Sequence, residues 1–263
     1  QGWEFDLLDI QRDGTIDLEQ LGDLLRKDTI LVSVCAVDSE LGTVQPIRKI
    51  TEILEDFPNC RLHVDATQAI GKTELVMDGV DTMSIAPHKF YGLNGSGLLL
   101  KKSSLIIEPQ THGGSSTTPY RSGTPALALA VSIEKALQLT LTQQEERIRY
   151  VRQLNEYLKT ALLHYPAVRI NSPEGAVPHI LNLSVQGLKG TVFQRVLSER
   201  GVCVSVKSAC SAEGTPSKAV FAVSGDRKNA LSSWRVSLSH LTTREELDEF
   251  LQVFDQCYKE LGP

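Results

Sequence analysis

Short apolar runs and amphipathic stretches follow one another along most of this chain. Residues 1–10 (QGWEFDLLDI) alternate between polar and apolar as a strand does. Asp17 stands where a helix N-cap is expected, ahead of a helical pattern over residues 18–28. Residues 29–37 (TILVSVCAV) form a continuous apolar run, which predicts a strand buried on both faces. Over residues 45–57, Ile47, Ile50, Leu54 and Phe57 share one helix face, with Pro46 in the first turn. Further strands are predicted at 60–66, 80–85 and 96–102. Strands that alternate with helices predict an α/β fold, a mostly parallel sheet with flanking helices. In such sheets ligands bind beyond the carboxyl ends of the strands.

The pattern changes after residue 140. A long apolar helix is predicted over 125–139 and a break over 140–144. A second helix then carries Ile148, Val151, Leu154, Leu158 and Leu162 on one stripe. Short strands are predicted at 179–185, 202–206 and 234–238, interleaved with TVFQRVLSER. Thr243 and Glu246 have capping-box spacing and open a last helix that buries Leu247, Phe250, Leu251 and Phe254. The expected organisation is a large domain over 1–140 and a smaller α+β domain over 141–263. No internal repeat or low-complexity segment interrupts it.

Composition narrows the function classes. The chain has 263 residues, 41% apolar and 22% charged, enough to bury a full core. A net charge of −5 gives no electrostatic footprint for nucleic acid or an anionic membrane. No apolar run approaches the ~18 residues of a spanning helix, and no signal peptide is read at the start. The five cysteines, at 35, 60, 203, 210 and 257, form no CxxC pair, against both a disulfide framework and a zinc site. A reducing cytoplasm is the expected location, and no metal is expected. Residues 9–20 (DIQRDGTIDLEQ) resemble a calcium loop, but Gln11 and Gln20 occupy positions that need carboxylates, and no helix leads in. Gly14 is expected to make a turn there instead.

The chemistry is concentrated in residues 84–97, SIAPHKFYGLNGSG, where Lys89 follows a short apolar run and precedes three glycines. A lysine becomes a useful nucleophile when held near an electron-poor partner. Asp65, at the end of the preceding strand, adds a carboxylate with no evident local cation. Pyridoxal 5'-phosphate would use both, with its carbonyl on the lysine and its ring nitrogen on the aspartate. Taken singly, Lys89 reads equally as a strand end and Asp65 as a helix cap. Cys210 lies in the polar stretch KSACSAEGT, whereas Cys35 and Cys203 fall in strand patterns, where buried structural cysteines are expected. Lys207, three residues earlier, would favour a thiolate if the loop brings it near.

HVDATQAIGK, MSIAPHKFYGLNGSG, HGG with RSGT, VSVKSACSA and SSWRVSLSHLTTREELDEF occur in this order. Together they resemble the NifS/IscS-type cysteine desulfurases, class V aminotransferases within fold type I of the pyridoxal-phosphate enzymes. The resemblance runs from about residue 1 to the C-terminus. It implies that Lys89 holds the cofactor and moves protons, Asp65 pairs with the pyridinium nitrogen and Gln68 bonds the phenolic oxygen. It assigns phosphate contacts to His88 and Thr124, the latter across a homodimer interface. Arg235 would bind the substrate carboxylate, and Cys210 would take the sulfur of L-cysteine as a persulfide, leaving L-alanine. The sulfur would pass to an acceptor protein, an iron–sulfur scaffold or a tRNA-thiolation enzyme.

The chain also departs from the family pattern. Ser39 stands where the family usually has Asn, Ala86 where it has a phosphate-binding Ser, and SSTTPY replaces the polar run after HGG. The resemblance further implies that the first third of a family member, with a phosphate cradle and a ring-stacking histidine, is absent. The large domain would then be incomplete and the chain a fragment of impaired activity. A non-catalytic sulfur-carrier or scaffold paralogue, a selenocysteine lyase, a cysteine-sulfinate desulfinase and other class V aminotransferases remain open alternatives.

Overall fold

Leu31–Cys35 (β1), Arg61–Asp65 (β2), Thr82–Ile85 (β3) and Leu98–Lys101 (β4) form a four-stranded sheet in that order. This is a computed structural model, and it describes residues 2–114, 118–207 and 214–262. β1, β2 and β3 run parallel, and β4 returns antiparallel to β3. The sheet is therefore mostly parallel, as its alternation with helices predicts. The register sets Cys35 beside Asp65 and Asp65 beside Ser84, so the ends of β1 and β2 lie level and β3 ends one residue further on. Val32, Leu62, Val64, Met83 and Ile85 are buried on one face.

The opposite face corrects one expectation. The apolar run predicts that β1 is buried on both sides, yet Leu31, Ser33 and Cys35 are not covered and only the Val32 side is. A continuous apolar run cannot by itself distinguish one covered face from two. Ile47–Leu54 (α2) buries Ile47, Ile50 and Leu54, as its spacing predicts. Leu127–Thr142 (α3) packs against the short 3-10 turn Pro87–Phe90, where Thr140 Oγ1 donates to the Phe90 carbonyl at 3.4 Å.

A second sheet contains Val168–Ile170 (β5), Ile180–Val185 (β6) and Ser233–Ser237 (β7), all antiparallel. Gln144–Leu162 (α4), Gly190–Glu199 (α5) and Arg244–Leu261 (α8) cover it. The core joins Val151, Leu154, Leu158 and Leu162 of α4 to Leu181, Leu183, Trp234 and Phe254, with Phe193 stacked on Trp234 at 5.5 Å. The expected strand at 202–206 is absent: only Ser205 pairs, as an isolated bridge to Arg235. β5 completes the sheet instead, and at three residues it is too short to show a period.

The α8 capping box is present on both sides. Thr243 Oγ1 accepts the Glu246 N–H at 3.2 Å, and Glu246 Oε2 accepts the Thr243 N–H at 2.8 Å. Thr243→Ala is expected to cost about 1 kcal/mol. A thermal melt should record this as a fall of roughly 2–4 °C.

Asp17 caps Leu18–Leu24 (α1), accepting from the N–H groups of Glu19 and Gln20. The helix stops short of the predicted residue 28 because Arg26 and Thr29 close a turn on each other. In the calcium-like stretch the amide of Gln20 bonds Asp9, and Asp13 bonds Thr15. Gly14 sits at φ +81°, where an added Cβ would collide with Thr43 Oγ1. The stretch is a glycine turn. Among the described residues no His, Cys, Asp and Glu group could hold a metal.

The chain divides into two compact units that are not continuous in sequence. One contains Gln1–Leu25, Val37–Pro46 and Gln144–Pro263; the other contains Arg26–Ala36 and Ile47–Gln143. The division at 143/144 lies close to the expected 140/141, but residues 1–25 and 37–46 join the C-terminal unit. Packing explains this: Gly42 lies against Ile180 and Val177, and Leu41 against Val220 and Ala230. Among the described residues no helix is long and apolar enough to cross a membrane.

Candidate active site

In the sheet unit, Asp65 ends β2 and is exposed, its Oδ1 accepting the Thr67 N–H at 2.9 Å. Beginning two residues beyond Ile85 of β3, the 3-10 turn presents His88 and Lys89, both exposed. The Lys89 N–H donates to the Ala86 carbonyl at 3.0 Å, which closes the turn immediately after the strand. Tyr91, at φ 73°, ends it in the left-handed region. Gly92 follows because a Cβ there would stand 2.8 Å from Pro87 Cβ. Bare backbone thus lets the chain fold back on the lysine turn.

Gln68 lies just past the end of β2. Its Oε1 accepts from Lys72 Nζ at 2.7 Å, which leaves the NH2 end as a donor. His63, one strand period before Asp65, bridges two hydroxyls of β3: Nδ1 meets Thr82 Oγ1 at 2.8 Å and Nε2 meets Ser84 Oγ at 3.3 Å. Ser84 is the residue in register with Asp65. The i, i+2 spacing of His63 and Asp65, which puts both on one face of β2, is the sequence signal for this pairing. Thr124 is exposed just ahead of α3, and no described hydrogen bond joins it to the others.

Arg235, at the centre of β7, belongs to the other unit. Its Nη1 donates to the Ser39 carbonyl, and its Nε–H is buried without an acceptor among the described residues. Burial pulls its pKa below the usual arginine range, while the Glu40 and Asp38 carboxylates oppose that shift. Cys210 lies outside the described residues. Of its two stems, Ser205 pairs with Arg235 through the backbone, and Lys207 Nζ donates to Thr215 O at 2.9 Å and Oγ1 at 2.8 Å.

The other cysteines require a correction. Cys60 and Cys257 are buried, and burial pushes both thiols up. Cys35 and Cys203, expected to be buried in strands, are both exposed. Cys35 lies on the uncovered sheet face, and Cys203 lies in a segment that never becomes a strand.

The donor set fits the ring end of a phosphorylated pyridine aldehyde. Asp65 offers a carboxylate for a ring N–H, Gln68 an N–H for a phenolic oxygen, and Lys89 a primary amine for the aldehyde. Ala86, where the turn begins, has no hydroxyl to offer a phosphate.

Comparison with known proteins gives a consistent result. The sequence model of the family described as "Aminotransferase class-V" matches residues 1–250. A NifS/IcsS protein homolog of Lactobacillus delbrueckii subsp. bulgaricus is 36% identical over 98% of this chain and 69% of its own length. Cysteine desulfurase IscS of Dictyoglomus turgidum is 32% identical over 99% of this chain and 67% of its own. Among solved structures, a NifS-like protein superposes with a TM-score of 0.91 at 29% identity, covering 98% of this chain and 69% of that one. SspA in complex with cysteine gives 0.76 at 27% identity, covering 92% and 68%. This chain thus spans about two thirds of the length of the proteins it matches. Members of this family depend on pyridoxal phosphate. The chain belongs to the class V aminotransferases, among the NifS/IscS cysteine desulfurase homologues.

Proposed function

We propose that the protein is a cysteine desulfurase that converts L-cysteine to L-alanine and takes the sulfur on Cys210. The observation that carries this reading is the parallel register of β1, β2 and β3. It sets the Asp65 carboxylate and the Lys89 turn at the ends of neighbouring strands, with Gln68 three residues after Asp65. Pyridoxal phosphate, when bound, supplies an electron sink for the substrate α-carbon. Lys89 Nζ holds the cofactor and moves the proton at that carbon. Asp65 keeps the ring nitrogen protonated by offering it a carboxylate. His88 and Thr124 contact the phosphate, Thr124 from the partner subunit of a homodimer. Arg235 takes the substrate carboxylate, for which its buried, unanswered Nε–H is a ready donor.

Sulfur transfer then balances without an outside oxidant. The Cys210 thiolate forms an S–S bond to the substrate sulfur as the Cβ–S bond breaks. The electron pair goes to carbon, which takes a proton. Cysteine and the Cys210 thiol become alanine and a persulfide, which an acceptor protein in the cytoplasm, an iron–sulfur scaffold or a tRNA-thiolation enzyme, would collect. The names of the relatives support the substrate, as does the solved neighbour that holds cysteine.

Ala86 favours a second reading, a sulfur-carrier or scaffold paralogue with weak cofactor binding. Borohydride reduction of the cofactor-loaded protein separates the two. The cofactor should become fixed on the peptide containing Lys89. No labelling at saturating cofactor would leave the carrier reading in place.

A further inference from the structure

Glu40 is a charged side chain only 8% exposed, in a turn where an acid would ordinarily reach water. Asp38 shapes that turn. Its Oδ1 accepts the N–H groups of Glu40 at 2.9 Å and Leu41 at 2.6 Å, and its backbone pairs with Gly42 and Thr43. The shape directs two neighbouring groups to different partners. The Ser39 carbonyl receives Arg235 Nη1, and Glu40 Oε2 receives the Ser217 hydroxyl at 2.5 Å. Ser217 is itself fixed: it is 1% exposed, its N–H donates to Ala230 O at 3.1 Å, and its Oγ accepts the Val220 N–H at 3.1 Å. The buried acid is thus tied to Ser217, one residue along the chain from the carbonyl that receives Arg235.

We propose that Glu40 is a positioning residue for the carboxylate subsite at Arg235. It holds the guanidinium ready and limits how tightly that group keeps a bound carboxylate, so that the product amino acid leaves. This rests on the reading of Arg235 given above. A fixed negative charge beside Arg235 supports the charged arginine when the subsite is empty; its attraction appears among the influences on that group, next to the opposing effect of burial. The same charge repels an incoming carboxylate. Removing it should tighten carboxylate binding, the opposite of what damage to the site would do.

The test is calorimetric titration of the cofactor-loaded protein with L-alanine, alongside steady-state kinetics with L-cysteine. Glu40→Gln is expected to bind L-alanine about five-fold more tightly, as a like charge several ångströms away would require. KM for cysteine and kcat should fall together as release becomes slow. Glu40→Met, uncharged and of similar length, should show the same tightening and serves if the first variant does not fold. Unchanged or weaker alanine binding in a folded variant would overturn the proposal. Arg235→Lys separates this from failure of the underlying reading. If it leaves alanine affinity unchanged, Arg235 is not the carboxylate site and both inferences are lost; if it weakens binding while Glu40→Gln fails to strengthen it, only this one is lost.

Discussion

Cys210→Ser is expected to abolish alanine formation, by about a thousand-fold or more, while the cofactor-loaded protein still binds L-cysteine with an unchanged absorption spectrum. A hydroxyl is far less ionised than a thiol at neutral pH and makes no stable product with sulfur, so only the transfer step should be lost. Alanine release and mass-spectrometric detection of the persulfide measure that step directly. The exposure of Cys35 and Cys203 makes their serine variants the necessary controls, since both thiols are open to reaction. Cys60 and Cys257 are weaker rivals, because burial holds their thiols protonated. Wild-type turnover in the Cys210 variant would move the assignment to one of the exposed pair, or to the lyase reading.

Lys89→Ala should be equally damaging for a different reason. The amine is asked both to hold the cofactor and to move a proton, and a positioned acid–base group alone is worth about a hundred- to ten-thousand-fold. Lys89 is exposed at the end of its turn, and only its backbone N–H takes part in closing that turn. Its loss should therefore leave the thermal melt of the cofactor-free protein almost unchanged, while turnover and borohydride labelling of the loaded protein disappear together. A rate within ten-fold of wild type, measured on the same preparation, would remove Lys89 from the chemistry.

Sequence legibility followed the strength of the local physical signal. The Ile47, Ile50 and Leu54 stripe and the Thr243–Glu246 box were readable because each is complete within a few residues. β2, β3 and β4 were marked by short apolar runs, but the parallel register that aligns Asp65 with Ser84 is a long-range property. β5 and the two short helices Lys218–Ser224 (α6) and Arg227–Ser232 (α7) lack the length to show a period. Asp65, Gln68, His88 and Lys89, the residues proposed for the site, can be nominated from sequence because they sit in contiguous motifs. Glu40 cannot: VDSELG reads as an ordinary polar turn, and its burial depends on Ser217, 177 residues away.

That separation bears on how the protein is made. The four strands described in the unit built from residues 26–36 and 47–143 are all synthesised before α3. Residues 37–46 lie within that stretch of chain yet belong to the other unit. Leu41 must wait for Val220 and Ala230, and Glu40 for Ser217, before either side chain has its native surroundings. Closing contacts across so much chain is slow, and the wait is spent with an apolar and an acidic side chain uncovered. The turn is made early and folds late.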